Sequence, residues 1–329
     1  MRERSLLIAL LVFASVLTLA QSSEPRFPRN TVEFDELFQR VSNWGRWGAD
    51  DQIGSLNLVT PEKRKQALSL PRMSVTVSLA HTPLTGSAED NPSPFARRWN
   101  TLNAQPPLEW LMDTYEVSYH GVAHSHIDAL CHVIYKDRSY NGYSRNDVRR
   151  DNGCGTLGIE NLKDGIITRG ILVDLPRLMG VPYLAPGVPV YAEDFEAWEK
   201  MTGVRISTGD AVLVRTGRWT RRAKVGPWNV LGNEAGVHAS LAPWVKARGV
   251  ALLGSDAGLD VFPSRVEGVS APVHILMINA LGINLLDNQD LDALAKTAAK
   301  LKRWEFMLTV APVPVAGGTG SPVNALATF

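Results

Sequence analysis

Between Gly170 and Val310 the chain alternates short apolar runs with longer amphipathic ones. This alternation constrains the fold more than any other feature. Gly170-Ile-Leu-Val-Asp-Leu175 reads as a buried strand, and so do Asp210-Ala-Val-Leu-Val-Arg215 and Val250-Ala-Leu-Leu-Gly254. Ile283-Asn-Leu-Leu286 and Phe306-Met-Leu-Thr-Val310 complete the set. Glu193 to Met201, Ser240 to Arg248, Pro272 to Leu281 and Leu291 to Leu301 read as helices. Strands alternating with helices specify an α/β protein. No repeat of fixed period and no low-complexity tract interrupts the pattern.

Four of the chain's 7 histidines fall in one stretch, His120-Gly-Val-Ala-His124-Ser-His126-Ile-Asp128-Ala-Leu-Cys-His132. All four, and Asp128, occupy even positions. Side chains on an extended strand alternate faces with period two. The spacing therefore places His124, His126 and Asp128 on one face of a strand that continues from Thr114-Tyr-Glu-Val-Ser-Tyr119. Neutral imidazole and carboxylate together suit Zn²⁺, Mn²⁺ or Fe²⁺. The expectation is a divalent metal centre, Zn or Mn ahead of Fe, that activates water. The bland alternative is a polar strand whose histidines are ordinary surface or core residues.

A metal held by one local cluster needs distant residues to complete its shell. His274 opens a helix and Asp287 ends the following strand, so both are candidate ligands. Asp287 would otherwise cap the helix after it. Asp256, at the end of Gly254-Ser-Asp256, sits where α/β proteins place functional groups. Gly317-Gly-Thr-Gly-Ser-Pro322 lacks the Gly-Lys-Thr ending of a phosphate loop and reads as a structural turn.

The N-terminal residues fit no fold element. Met1-Arg-Glu-Arg4 is net positive, Leu6 to Ala20 is apolar, and Thr18-Leu-Ala20 offers small residues for cleavage. Residues 1–20 read as a secretory signal, and the apolar run is short for a membrane span. Export places the chain outside the cytoplasm, periplasmic or secreted, in an oxidising compartment. The 2 cysteines, Cys131 and Cys154, allow one disulfide. Cys131 has odd parity and reads as a packed residue rather than a nucleophile. The net charge of +1 and the absence of a basic run point away from nucleic acid. Nothing indicates a membrane partner once the signal is removed.

Thr31 to Val41 has helical apolar spacing, and Thr60-Pro opens a second helix. Between them, Asn43-Trp-Gly-Arg-Trp-Gly48 offers either an aromatic wall facing a substrate or a packed loop. Met73 to Ala80 alternates as a strand. Residues 82–109 carry the Pro, Ser and Asn of a long surface loop, and Tyr140-Asn-Gly-Tyr143 forms a turn that could make a lip over the metal.

His124 to His132 resembles the signature of the cyclase family of metal-dependent hydrolases, H-x-G-T-H-x-D-x-P-x-H. That family includes bacterial kynurenine formamidase and isatin hydrolase. Asn43-Trp-Gly-Arg-Trp-Gly48 with Gly54-Ser-Leu-Asn57 looks like the opening of its longer subgroup. Gly209 to Gly217, Gly254-Ser-Asp256, Pro272-Val-His274 and Gly317 to Pro322 look like later landmarks, so the likeness runs from about residue 43 to 324. His126, Asp128 and His132 fall on the second His, the Asp and the last His. Val122 occupies the first His, His124 the Gly, Ser125 the Thr and Leu130 the Pro. His124 or His120 would then replace the missing first ligand. The later His and acidic ligand map onto His274 and Asp287.

The resemblance implies a compact α/β fold with a mixed β-sheet and surrounding helices, assembled as a homodimer or larger homo-oligomer. Residues 21–70 would form an N-terminal extension and 71–329 the hydrolase domain. It also implies hydrolysis of an amide or lactam in a small aromatic molecule. His126, Asp128, His274 and Asp287 would hold the metal, with His124 or His120, and His132 would be the general base. The alternative for His132 is a ligand of a second metal. Two competitors differ in class: a cupin-like dioxygenase, which needs a nearly all-β chain, and an exported protein that binds metal or ligand without catalysis.

Overall fold

The structure is a computed structural model that describes residues 26–105 and 107–329; the signal read at residues 1–20 lies outside them. A nine-stranded mixed sheet forms the centre. Its strands are β1 (Thr76–Ser78), β4 (His126–Asp128), β5 (Ile166–Asp174), β6 (Ala211–Arg215), β7 (Leu252–Ser255), β8 (Asn284–Asp287), β9 (Glu305–Val310), β10 (Gly320–Pro322) and β11 (Leu326–Thr328). The order is β1-β11-β9-β5-β6-β7-β8-β4-β10. β5, β6, β7 and β8 run parallel, and antiparallel strands flank them on both sides. β2 (Ala96–Gln105) and β3 (Leu108–Glu116) form a separate hairpin.

The parallel strands are buried along almost their whole length, as crossover helices on a sheet require. Val212, Leu213, Leu252, Leu285 and Leu286 each lie at 0% exposure. Each contributes about 1.5–3 kcal/mol by leaving water. The helices cover this core. α1 (Thr31–Val41) is capped by Asn30, whose Oδ1 accepts from Glu33 N at 3.1 Å, and buries Phe34, Leu37, Phe38 and Val41. α2 (Pro61–Leu68) is capped by Thr60, with Pro61 in its first turn. α3 (Ala192–Thr202) buries Phe195 and Trp198. α4 (Arg218–Val225), α5 (Ala242–Arg248) and α6 (Leu291–Leu301) follow β6, the segment after it, and β8. The helix from Pro272 begins as α-helix and widens to a π-helix over Ile275–Leu281. Among the described residues no helix is long and apolar enough to cross a membrane.

Two local expectations change, and one open alternative is decided. The segment read as a loop over 82–109 is irregular chain followed by the β2–β3 hairpin, whose residues 96–101 and 108–116 are exposed. The Trp-Gly segment packs as a loop. Trp44 meets Phe38 edge-on at 5.6 Å and donates from Nε1 to Asn279 O at 2.7 Å. Tyr140 is wholly buried and donates to Asp51 Oδ2 at 2.8 Å, so the Tyr140–Gly142 turn is no lip over the site. Cys131 and Cys154 form a disulfide with Cα atoms 6.3 Å apart.

Candidate metal centre

The centre grows from one antiparallel contact. β4 pairs with β8 so that His126 faces Asp287 across the ladder, while Ile127 faces Leu286. Ile127 and Leu286, both at 0% exposure, turn to the core. Period two then sends His126 and Asp128 to the opposite face, beside Asp287. Ligand atoms of these three residues all lie within 4.8 Å of one another. Asp287 is not needed as a cap: Asp290 caps α6 by accepting from Asp292 N at 3.1 Å. Asn288, at φ 55°, turns the chain sharply away behind it.

Two imidazoles are oriented by acceptors that fix their tautomers. His126 Nδ1 donates to His124 O at 2.8 Å, which leaves Nε2 facing Asp128 Oδ1 at 3.3 Å. His274 Nδ1 donates to Asp260 Oδ2 at 2.6 Å, which leaves Nε2 at 3.2 Å from Asp287 Oδ2 and 3.9 Å from Asp128 Oδ2. Asp260 also accepts from the backbone N–H groups of Val273 and His274 at 2.7 and 3.0 Å. One carboxylate thus caps the helix start and aims the ring. Such partners orient ligands and tune metal affinity. Asp260→Ala is expected to lower metal affinity about 10–100-fold; a titration against a competing chelator measures it, and unchanged affinity would overturn the orienting role.

His132 reaches the centre by a turn rather than by strand parity. β4 ends at Asp128, and the 3₁₀ turn Leu130–His132 follows. The His132 ring stacks on His120 at 4.0 Å and 2°. His120 arrives from the chain before β4; its Nδ1 lies 3.0 Å from Asp128 Oδ1 and its Nε2 2.8 Å from Thr319 Oγ1. His120, Asp128 and His132 form a second group of converging ligand atoms, with Asp128 common to both. The disulfide at Cys131 ties down the back of this turn.

His124 does not join them. The expected continuous strand breaks after Glu116, and the chain bends through 118–124 before β4 begins at His126. His124 therefore loses phase with His126. It lines a separate cavity with His81, Phe95 and Tyr115, and its Nε2 lies 3.4 Å from Ser93 O. Asp256 is also elsewhere. Its buried carboxylate accepts from the backbone of Thr216, Gly217 and Arg218 at 2.7, 2.8 and 3.2 Å and fixes that turn.

The donor set fits a divalent cation. Asp128 and Asp287 are 0% and 3% exposed, and both oxygens of Asp128 and Oδ1 of Asp287 have no hydrogen-bond partner. Buried, converging carboxylates demand positive charge. Burial opposes ionising Asp128, yet His132, His120 and His126 hold its pKa well below the usual range. Burial likewise opposes charge on His274, but Asp260 and Asp287 outweigh it and hold that pKa well above normal. Asp128 and Asp287 raise His126 in the same way. His132 goes the other way: burial pushes it down to about 4, so it is a neutral imidazole near pH 7.

These residues line a cavity of about 370 Å³. Its other walls include Val133, Arg218, Val230, Leu231, Glu234 and Phe262. Asp260, Arg218 and Glu234 were not marked by the sequence. None of them has a spacing pattern that links it to the histidine stretch. Neither Trp44 nor Trp47 lines the cavity.

A mixed α/β sheet with a buried His/Asp centre at the edge of its parallel strands defines a class of protein capable of binding a divalent metal. The family model described as "Putative cyclase" matches residues 66–259, and the chain belongs to this Cyclase family. No curated protein matches the sequence. A crystal structure described as a novel cyclase shares 28% identity and a TM-score of 0.80, covering 88% of this chain and 100% of that one. Isatin hydrolase A from Ralstonia solanacearum has 21% identity and a TM-score of 0.53, covering 77% of this chain and 91% of its own. Isatin hydrolase A from Labrenzia aggregata, bound to benzyl benzoate, has 19% identity and a TM-score of 0.55, covering 77% and 93%. The two isatin hydrolases establish a common fold.

Proposed function

We propose that the protein is a metal-dependent hydrolase that opens an amide or lactam bond in a small aromatic molecule. The observation that carries this reading is the set of buried, unsatisfied carboxylate oxygens of Asp128 and Asp287, ringed by imidazoles and facing a 370 Å³ cavity. His126, Asp128, His274 and Asp287 are the residues that would hold the ion. A divalent ion there supplies Lewis acidity toward a carbonyl and lowers the pKa of water to about 7. His132, neutral and stacked on His120, accepts the proton from water and returns it to the leaving nitrogen. Asp260 keeps the His274 ring in place.

A second reading concerns metal count. Asp128 belongs to both convergent groups, which favours two ions with His120 and His132 as ligands of the second. The alternating strands and helices disfavour a cupin-like dioxygenase. The apolar leader and the Cys131–Cys154 bond support an exported enzyme. The exposed Trp99, Trp110, Leu111 and Tyr115 of the β2–β3 hairpin support a homo-oligomer, which light scattering after gel filtration would test.

The deciding experiment is elemental analysis of purified protein, then a hydrolysis screen of isatin and aryl formamides under nitrogen. Turnover that is lost on chelation, returns with one divalent metal and needs no oxygen is the expected result. Tight metal binding with no cleavage of any amide would instead indicate a binding protein. Ion stoichiometry separates one metal from two.

A further inference from the structure

The cavity is also lined by two charged-type residues outside the candidate metal ligands, Arg218 and Glu234. Arg218 opens α4 and is 2% exposed. Its Nη1 donates to Asn288 Oδ1 at 2.5 Å and its Nη2 to Val122 O, both neutral acceptors. Its Nε has no partner. Other buried guanidiniums of this chain meet carboxylates: Arg169 reaches Asp210 at 2.6 Å, and Arg215 reaches Asp174 at 2.8 Å. Among the described residues Arg218 forms no such pair. A buried cation without a counter-ion is costly, so it marks a place where something outside the chain supplies the anion.

Glu234 stands on the same cavity and does not fill that role. It is 4% exposed, and its Oε2 has no partner. Its backbone pairs with Phe262 in both directions, at 2.9 and 3.0 Å, so the main chain that carries it is held in place. Burial pushes its carboxyl up to about 8 against the pull of Arg218. Near pH 7 it is mostly the neutral acid, an O–H donor. The other charged groups acting on it are Asp256, bound to the backbone at 216–218, and Arg221. Asp90, close to Arg218, is already held by Arg222 at 2.6 and 3.0 Å.

We infer that Arg218 and Glu234 form a carboxylate-binding subsite in the cavity that the metal ligands also line, so that the natural substrate carries an anionic carboxylate beside the C–N bond that is cleaved. The guanidinium charge of Arg218 and the carboxylic O–H of Glu234, two residues that line the cavity, would supply the attraction and the donor for that anion. The cleavage half of this statement rests on the hydrolase reading; the anion-binding half does not.

Calorimetry with benzoate and its neutral counterpart benzamide tests the subsite directly. Metal-loaded and chelated protein are both measured, because a carboxylate could otherwise be bound by the metal. Benzoate is expected to bind at least about tenfold more tightly than benzamide at pH 7, with or without metal, since charge-assisted hydrogen bonds are the strong ones. Arg218→Gln should remove the preference. Binding should weaken as pH rises through about 8, where Glu234 ionises and neutralises Arg218; Glu234→Gln, which cannot ionise, should flatten that limb. Equal affinity for the two ligands in wild-type protein overturns the subsite, and so does a preference that vanishes on chelation. An Arg218→Gln chain that fails to fold leaves the wild-type ligand pair and Glu234→Gln to decide. Turnover of N-formylanthranilate against formanilide then separates the two readings. Benzoate selectivity without cleavage of either sinks the hydrolase and keeps the subsite. Equal cleavage of both, with no benzoate selectivity, does the reverse.

Discussion

Asp128→Asn is expected to leave the protein without bound metal and to reduce amide hydrolysis by at least about 10³-fold, since the ion contributes several kcal/mol and each 1.36 kcal/mol is tenfold in rate. Asp128 faces His120 and His126 at 3.0 and 3.3 Å, lies 3.9 Å from His274, and belongs to both ligand groups. Among the described residues no other belongs to both groups. The amide keeps the shape but removes the anionic charge that attracts a divalent ion. Asp287 would then be the one remaining carboxylate beside His126 and His274. Metal analysis and turnover on the same sample check this, with melting temperature recorded to detect unfolding. A folded variant that keeps its metal and its rate would end the case for this centre.

His132→Ala is expected to keep the metal held by His126, Asp128, His274 and Asp287 while losing about 10²–10⁴-fold in turnover, the range for a positioned general acid–base. The prediction follows from two properties of the ring. It stacks flat on His120 at 4.0 Å, so its orientation is set. Burial keeps it neutral, so it can accept a proton near pH 7. Loss of one equivalent of metal along with activity would favour the two-ion reading. Full activity would remove His132 from the mechanism altogether.

Much of the fold was legible because burial writes itself into local composition. Leu291 to Leu301 carries helical periodicity and is a helix with those ends. The apolar runs at 210–215, 250–254 and 283–286 are strands because only buried parallel strands tolerate so little polarity. Most of the hairpin at 96–116 was illegible for the opposite reason: residues 96–101 and 108–116 are exposed and carry no burial pattern.

The site divides in the same way. His126 and Asp128 were readable because a strand's period two acts over three residues. His124 failed because that period holds only while the backbone stays extended, and bends at 118–124 interrupt it. His132 arrives through a 3₁₀ turn, and His120 through a loop end held by Thr319.

The sequence by itself determined the α/β class and the chemistry of the centre, since hydrophobic runs and ligand types are local properties. Only the tertiary structure decided which histidines converge, that Asp260 aims His274, and that Arg218 and Glu234 line the same cavity. These are contacts between segments far apart in the chain, and their distances depend on strand register and turn geometry, which no single segment encodes.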